Sequence, residues 1–474
     1  MLQTFKKSLT LWDSTAIVAG SMIGSGIFIV SADIARQVGS PGWLLMVWVI
    51  TGVMTIFAAV SYGEMASMMP RAGGIYIYLR EAYSPLVGFL YGWSLFLVIQ
   101  TGTIAAVAMA FAKYAGVLFP WISESNILVQ SGLLKITTTQ LVAVLSILIL
   151  TYINSRGIEE GKNVQNLFTY TKILILIVFI AIGLQYANIS NLSDFWSASQ
   201  WKDGRHTAIS GLTLITAIGL AMVGSLFSSD AWYDITYTSA EVKKPRKNIA
   251  RSLILGTTIV SLLYLLINVV YVSVLPVKGI PDGVTVAERG IQFASEDRVA
   301  TAVMFQIFGK SAAIIMAIVV VISTIGCNNG IILSGARVSY AMAQDNLFFK
   351  HAAVLNKNKV PSVALYLQAG WSILLCFTGT YSQLLDYVMF VVIVFYILTI
   401  YAVFIFRKRR PDVERPFKTP GYPFLPAIYL VLCLFIEVVL LLYKPVSTWP
   451  GLIILLLGVP VYYLWRRGAQ RYNL

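Results

Sequence analysis

Charge is scarce in this chain. Of its 474 residues only 12% are Asp, Glu, Lys or Arg, about half the share found in an ordinary soluble protein. Histidine is nearly absent, with only His206 and His351, and there are three cysteines, Cys327, Cys376 and Cys433. Their spacing excludes a zinc-type ligand cluster. All three cysteines fall in apolar stretches, where they read as small core residues, so they imply neither a disulfide framework nor a redox compartment. No nucleophile–base pair or phosphate-binding loop occurs in the apolar segments, so no enzyme activity, metal or cofactor is expected. A small-residue cleavage site after Lys6 and Lys7 is missing too, which argues against a cleavable signal peptide. Linkers and low-complexity segments are also lacking, so the chain reads as one membrane domain.

What is present is hydrocarbon-compatible sequence, 58% of the residues being hydrophobic. Runs of about 20 apolar residues suffice to cross a bilayer. Twelve such spans are expected, near residues 12–38, 42–66, 85–118, 138–155, 163–185, 210–238, 249–275, 311–342, 361–379, 383–406, 423–443 and 448–466. The fold class is therefore an all-α integral membrane protein with twelve transmembrane helices. Lys and Arg total 35 against 21 acids, a net charge of +14. Most of the basic residues gather in alternate loops, Lys243-Lys244-Pro245-Arg246-Lys247 and Arg407-Lys408-Arg409-Arg410 among them. By the positive-inside rule those loops are cytoplasmic, as are both termini. The excess charge thus sets orientation and meets anionic lipid, and no nucleic-acid partner is expected.

Two spans contain material that a continuous helix does not need. The first carries Gly20-Ser21-Met22-Ile23-Gly24-Ser25-Gly26-Ile27-Phe28, and the sixth carries Gly219, Gly224, Ser225, Ser228, Ser229 and Asp230. In hydrocarbon an opened helix is tolerated only where its freed backbone groups are buried in protein or line a cavity. Interruptions at matching places in two halves point to a transporter site. Spans 1–5 (residues 1–190) and 6–10 (residues 205–410) then form inverted repeats, with two appended helices in 411–474. The competing explanation is that the glycines serve close helix packing.

The first-helix glycine stretch is similar to the signature of the amino acid–polyamine–organocation superfamily, and more narrowly of its L-amino acid transporter branch of bacterial type. Supporting stretches are Tyr62-Gly63-Glu64-Met65, Pro70-Arg71-Ala72-Gly73-Gly74, Phe168-Thr169-Tyr170-Thr171-Lys172, Glu241-Val242-Lys243-Lys244-Pro245 and Arg415-Pro416-Phe417-Lys418. The resemblance implies a five-plus-five inverted repeat and amino acid transport by alternating access. It places a coupling lysine at Lys172, bridging span 1 near Gly24 to span 8 near Ser323 or Cys327, and so implies sodium independence. It also places an aromatic gate at Phe227 and a second lining aromatic at Trp232. Snorkelling for the lysine and core packing for the aromatics are the alternatives.

Physical chemistry suggests how such a site would hold an amino acid. N–H groups freed around Ser25, Gly26 and Ile27 begin a half-helix and suit a carboxylate. Carbonyls near Ser21 to Ile23, and near Phe227 and Ser228, suit an ammonium. Asp230 in the second interruption is a further candidate, meeting the ammonium, a substrate side chain or a proton. Asp234, one turn on, either pairs with a neighbouring helix or faces the outer vestibule. Glu64 is expected in an inner-face ion pair near Arg71 and Arg80, Lys113 to snorkel, and Glu437 to pack. The outer loop 276–300 reads as a solvated connector.

The expected function is secondary transport of small or medium neutral L-amino acids, by exchange or with protons. One alternative is a cationic amino acid or polyamine carrier using Asp230; another is a receptor or channel on the same scaffold. No cysteine occurs in residues 119–137, so a disulfide-linked glycoprotein partner of the kind used in this branch is not expected.

Overall fold

The computed structural model describes residues 4–131, 134–378 and 381–471. A capping box starts the first helix: the Thr10 hydroxyl accepts from the Asp13 N–H, and the Asp13 carboxylate accepts from the Thr10 N–H. Helix α1 (Leu11–Met22) then stops at extended Ile23, and one 3-10 turn over Gly26–Phe28 leads into α2 (Val30–Val38). Together they make one broken crossing. There follow α3 (Pro41–Met68), α4 (Ile75–Ala82), α5 (Pro85–Ser94) and α6 (Gln100–Leu118), the last two joined through a π turn. Helices α7 (Thr138–Arg156) and α8 (Ile158–Gln185) end the first half.

The second half begins with α9 (Gly211–Ser228), which stops abruptly and resumes as the short α10 (Asp234–Tyr237). Then come α11 (Pro245–Val274), the short α12 (Val286–Arg289), α13 (Val299–Phe308) and α14 (Ala312–Gln344). Helices α15 (Ser362–Phe377), α16 (Tyr381–Arg409), α17 (Phe424–Tyr443) and α18 (Pro445–Arg471) complete the chain. Ten of the helical stretches are long and apolar enough to cross a membrane. The broken α1–α2 pair and the shorter apolar α15 bring the crossings to the twelve expected. Two small hairpins, β1 (Ile127–Ser131) with β2 (Leu134–Thr137) and β3 (Ser199–Lys202) with β4 (Arg205–Ala208), lie in connections.

Exposed Leu167, Leu174, Ile177, Leu434, Val438 and Leu464 turn apolar faces outward, the reverse of a water-soluble surface and the expected contact with lipid. Inside, the most extensive helix pairings are α3 with α11 and α6 with α14. These are the second crossing with the seventh and the third with the eighth.

The end of the molecule that carries the basic loops is sealed. Arg337 on α14 reaches Glu241 with Nε and Nη2, both at 2.9 Å, and each side chain is 1% exposed. Tyr91 and Tyr237 join hydroxyl to hydroxyl beside it. An amino-terminal strap closes over this layer: the N–H groups of Ser8 and Leu9 donate to the Glu241 carbonyl, and Lys243 donates to Leu9 at 2.7 Å. The ion pair of Glu64 is with Arg407 and Arg415, at 2.7 and 3.3 Å. It differs from the expected neighbourhood of Arg71 and Arg80, because α16 brings its terminal arginine against α3. Arg80 instead pairs with Asp345 and Glu81, and its guanidinium together with Arg410 holds the Glu81 carboxyl below its usual range.

Candidate functional site

A cavity of about 410 Å³ opens where the two broken helices face one another. Ser21, Met22, Gly24, Ser25 and Gly26 line it from the first break; Phe227, Ser228, Asp230 and Ala231 line it from the second. Thr103, Ala106, Val107 and Ala110 of α6 form an apolar wall. The cavity continues to Lys113, Glu296 and Arg298 at the end opposite the basic loops. Lys113 is paired there with Glu124 at 3.0 Å, and Arg298 lies 4.9 Å over the Tyr114 ring. The connector at 276–300 therefore forms part of the rim: Asp297 is tied to Arg36 at 2.6 Å, which sets the loop on α2.

In the first break the freed carbonyls are already occupied. Lys172 on α8, 2% exposed, donates to Gly20 at 2.5 Å and Ile23 at 2.7 Å. Ser323 on α14 donates to Gly24 at 2.9 Å and Ile23 at 3.2 Å. Cys327 donates its thiol to Ser21. Tyr264 on α11 bridges the two breaks, its hydroxyl lying 3.0 Å from the Met22 carbonyl and 3.2 Å from that of Ser228. Tyr271, seven residues on, reaches the Ile27 carbonyl.

The donors of the same break stay open. Among the described residues no backbone acceptor meets the N–H of Ser25 or Gly26. The buried hydroxyls of Ser21 and Ser228, which also line the cavity, have no partner. Buried polar groups are normally satisfied, so this concentration marks a place built for a polar guest. Close approach of the two breaks depends on Gly26: a Cβ there would lie 2.6 Å from the Ser228 hydroxyl and 3.1 Å from its Cα.

The second break is differently made. Ala231 holds φ +63° without being glycine, a conformation that costs an L-residue about 1–2 kcal/mol. Asp230 accepts from Tyr396 on α16 and, at 3.3 Å, from Tyr233. Asp234 is 1% exposed, accepts from Ser334 on α14 at 2.7 Å and lies outside the cavity lining.

The structure thus gathers Gly24, Ser25, Gly26, Phe227, Ser228 and Asp230 around one cavity, with Lys172 and Ser323 behind it. Three of the sequence-selected residues lie outside its lining. Ile23 and Ile27 are fully buried, and the Ile23 carbonyl is spent on Lys172 and Ser323. Trp232, 2% exposed, packs edge-on against Tyr62 at 4.7 Å and Tyr233 at 5.4 Å. Gly219 and Gly224 sit within intact α9, against Phe435, Val439 and Val30, where small residues serve packing. Tyr264, Tyr271 and Tyr396 were not singled out from sequence. Their signal was available, since a tyrosine inside an apolar span has a hydroxyl that needs a partner, and positions 264 and 271 share one helix face.

A twelve-crossing helical bundle with two broken helices around a central cavity of mixed apolar and polar lining defines a secondary carrier of the alternating-access type. The chain belongs to the amino acid permease family, whose profile it matches over residues 9–462, and it is an amino acid transporter. It is 28% identical to the serine/threonine exchanger SteT of Bacillus subtilis, over 97% of this chain and 96% of that protein. It is 30% identical to the human large neutral amino acids transporter small subunit 2, over 97% of this chain and 80% of the other. A b(0,+)-type amino acid transporter of Mus musculus is 26% identical over 97% and 88%.

Proposed function

We propose that this protein exchanges small or medium neutral L-α-amino acids across the cytoplasmic membrane, without sodium, with both termini in the cytoplasm. The observation that carries this reading is the asymmetry of the first break, where the carbonyls are filled from within and the N–H groups of Ser25 and Gly26 are open. Those donors begin a half-helix and suit the substrate carboxylate. The substrate ammonium lies toward the second break, where the carbonyls of Phe227 and Ser228 each keep a second lone pair and Asp230 adds its charge. Phe227, half-buried on the cavity wall, closes over the bound substrate. Lys172 supplies the positive charge that a coupling cation would otherwise bring to the first break, which is why sodium is not needed. A cavity of about 410 Å³ falls within the range for small-molecule sites.

Lipid is the surrounding partner. The absence of cysteine from residues 119–137 supports a carrier without a disulfide-linked glycoprotein subunit. The test is counterflow in proteoliposomes free of sodium, with a panel of radiolabelled amino acids. Uptake that depends on internal unlabelled amino acid supports exchange; rapid downhill flux indifferent to internal substrate supports a channel and overturns it.

One observation favours a second reading. Asp230 lines the cavity without a basic partner among the described residues, so an amino acid with a cationic side chain is the alternative substrate. Competition by cationic amino acids that disappears in Asp230→Asn while neutral exchange persists supports that reading.

A further inference from the structure

The buried layer around α10 holds more acid than its cation can neutralise. Arg337 is the basic group of this layer, and both its reaching nitrogens are committed to Glu241, with a third donor on the Leu333 carbonyl. Asp234 lies one turn away along the same α14 contact, yet its partners are neutral: the Ser334 hydroxyl, which also bonds back to its own helix, and the Gln100 amide on α6. The titratable groups facing the two aspartates are Tyr62 on α3, Tyr91 on α5, Tyr233 and Tyr237 beside them, Cys327 on α14, Tyr396 on α16 and Tyr429 on α17. None brings positive charge. Lys172, buried in the same core, faces the first break and donates to Gly20 and Ile23. Asp234 is therefore a carboxyl without a counter-charge among the described residues, in a medium where an unpaired charge is strongly disfavoured.

Its position makes this more than a packing feature. Asp234 is the first residue of a four-residue helix that begins immediately after the second break. Beyond that helix stand the Glu241–Arg337 pair and the amino-terminal strap that seal the basic end. Alternating access requires that seal to part, and α10 to move from α14 into contact with water. Asp234 then passes between two environments: dry and hydroxyl-bonded when the cavity opens outward, hydrated when it opens inward.

We propose that Asp234 carries a proton through the transport cycle, so that inward movement of an amino acid is coupled to inward movement of one H⁺. This rests on the amino acid transport reading and deepens it. While the basic end is sealed, a proton from the outer phase enters the cavity that Asp230 lines and passes to the neighbouring Asp234 carboxylate. The same O–H bond breaks when that end opens, and the proton leaves to inner water. In net uptake the carboxylate returns with the empty carrier, so the balance of that cycle is one proton in per substrate in.

Two proteoliposome measurements separate this proposal from the reading beneath it. Counterflow at equal pH on both sides reports amino acid transport alone; its absence in the wild type overturns that reading. Accumulation into vesicles acidified outside by one pH unit, with an internal pH dye, reports coupling. One proton per substrate permits up to about tenfold accumulation per pH unit. In the wild type, accumulation above unity with matching internal acidification is expected; counterflow without either overturns the proposal. Asp234→Asn, close in shape to the protonated acid, is expected to keep counterflow and reduce accumulation to unity. Asp234→Asn that still accumulates overturns it. Asp230→Asn, at the substrate site, is expected to lower counterflow and accumulation together; loss of accumulation alone there, with retention in Asp234→Asn, moves the proton to Asp230 and overturns the assignment. Should Asp234→Asn fail to fold, Ser334→Ala replaces it. That variant is expected to move the pH midpoint of accumulation, and an unmoved midpoint overturns the proposal.

Discussion

The two helix breaks face each other across one cavity but are finished in opposite ways. The first is stabilised from within by a cation: Lys172 and Ser323 take up the carbonyls of Gly20, Ile23 and Gly24, and glycine removes side chains where the breaks meet. The second has no built-in cation among the described residues. It uses a left-handed alanine at Ala231 and two carboxylates held by neutral donors: the hydroxyls of Tyr396, Tyr233 and Ser334, the Ala231 N–H and the Gln100 amide. An opened helix frees donors and acceptors alike, and what the protein adds decides which remain for a guest. Filling the carbonyls of one break leaves donors, as the proposed carboxylate site requires. Leaving acids in the other suits the proposed binding of a cation or a proton.

Four substitutions test this contrast. The largest effect is expected from Lys172→Met, which removes a charged donor from two buried carbonyls. A loss of about 3 kcal/mol is expected, and counterflow should fall about a hundredfold, with a lower melting temperature in detergent. Undiminished counterflow would break the comparison. Gly26→Ala comes next, because its Cβ meets both the hydroxyl and the Cα of Ser228. Overpacking of about 1–3 kcal/mol should raise the KM for exchange roughly tenfold or more by forcing the breaks apart. Ser323→Ala removes one donor from carbonyls of which Ile23 keeps Lys172. About 0.5–1.5 kcal/mol of stability is expected to go, read as a melting shift of a few degrees, with transport retained. The smallest effect belongs to Ala231→Gly. Relief of left-handed strain and the extra freedom of unfolded glycine oppose one another, so stability should change by less than about 1 kcal/mol. A large loss there would mean that the Ala231 methyl group has a role beyond backbone geometry.

Where these features could be read from sequence depends on how local they are. The first break was legible because Gly24-Ser25-Gly26 sits in an apolar run, and Lys172 because a lysine in hydrocarbon needs a partner. The second was legible at Ser228 to Asp230 but not at Gly219 and Gly224. Those glycines have the same composition signal, yet each accommodates a neighbouring helix. Trp232 was placed on the cavity through resemblance, whereas its ring is enclosed by Tyr62, Tyr233 and Tyr396. The rim was missed because loop 276–300 is polar, and distant partners fix where it lies: Arg36 holds Asp297 and the Gln292 carbonyl, and Gln292 reaches the Ala35 carbonyl. Tertiary partners of this kind leave no local pattern to read.

The strap at the amino terminus also sets an order of events during biosynthesis. Ser8 and Leu9 find their backbone partners at Glu241 and Lys243, past the midpoint of the chain. The ribosome delivers residues at roughly 5–20 per second, so the strap waits many seconds for its docking edge to be made. Until then the nascent bundle has no closed floor, and any fragment ending before residue 241 carries a leading segment with nothing to pair against. Residues 8 and 9 are thus made long before the edge on which they sit.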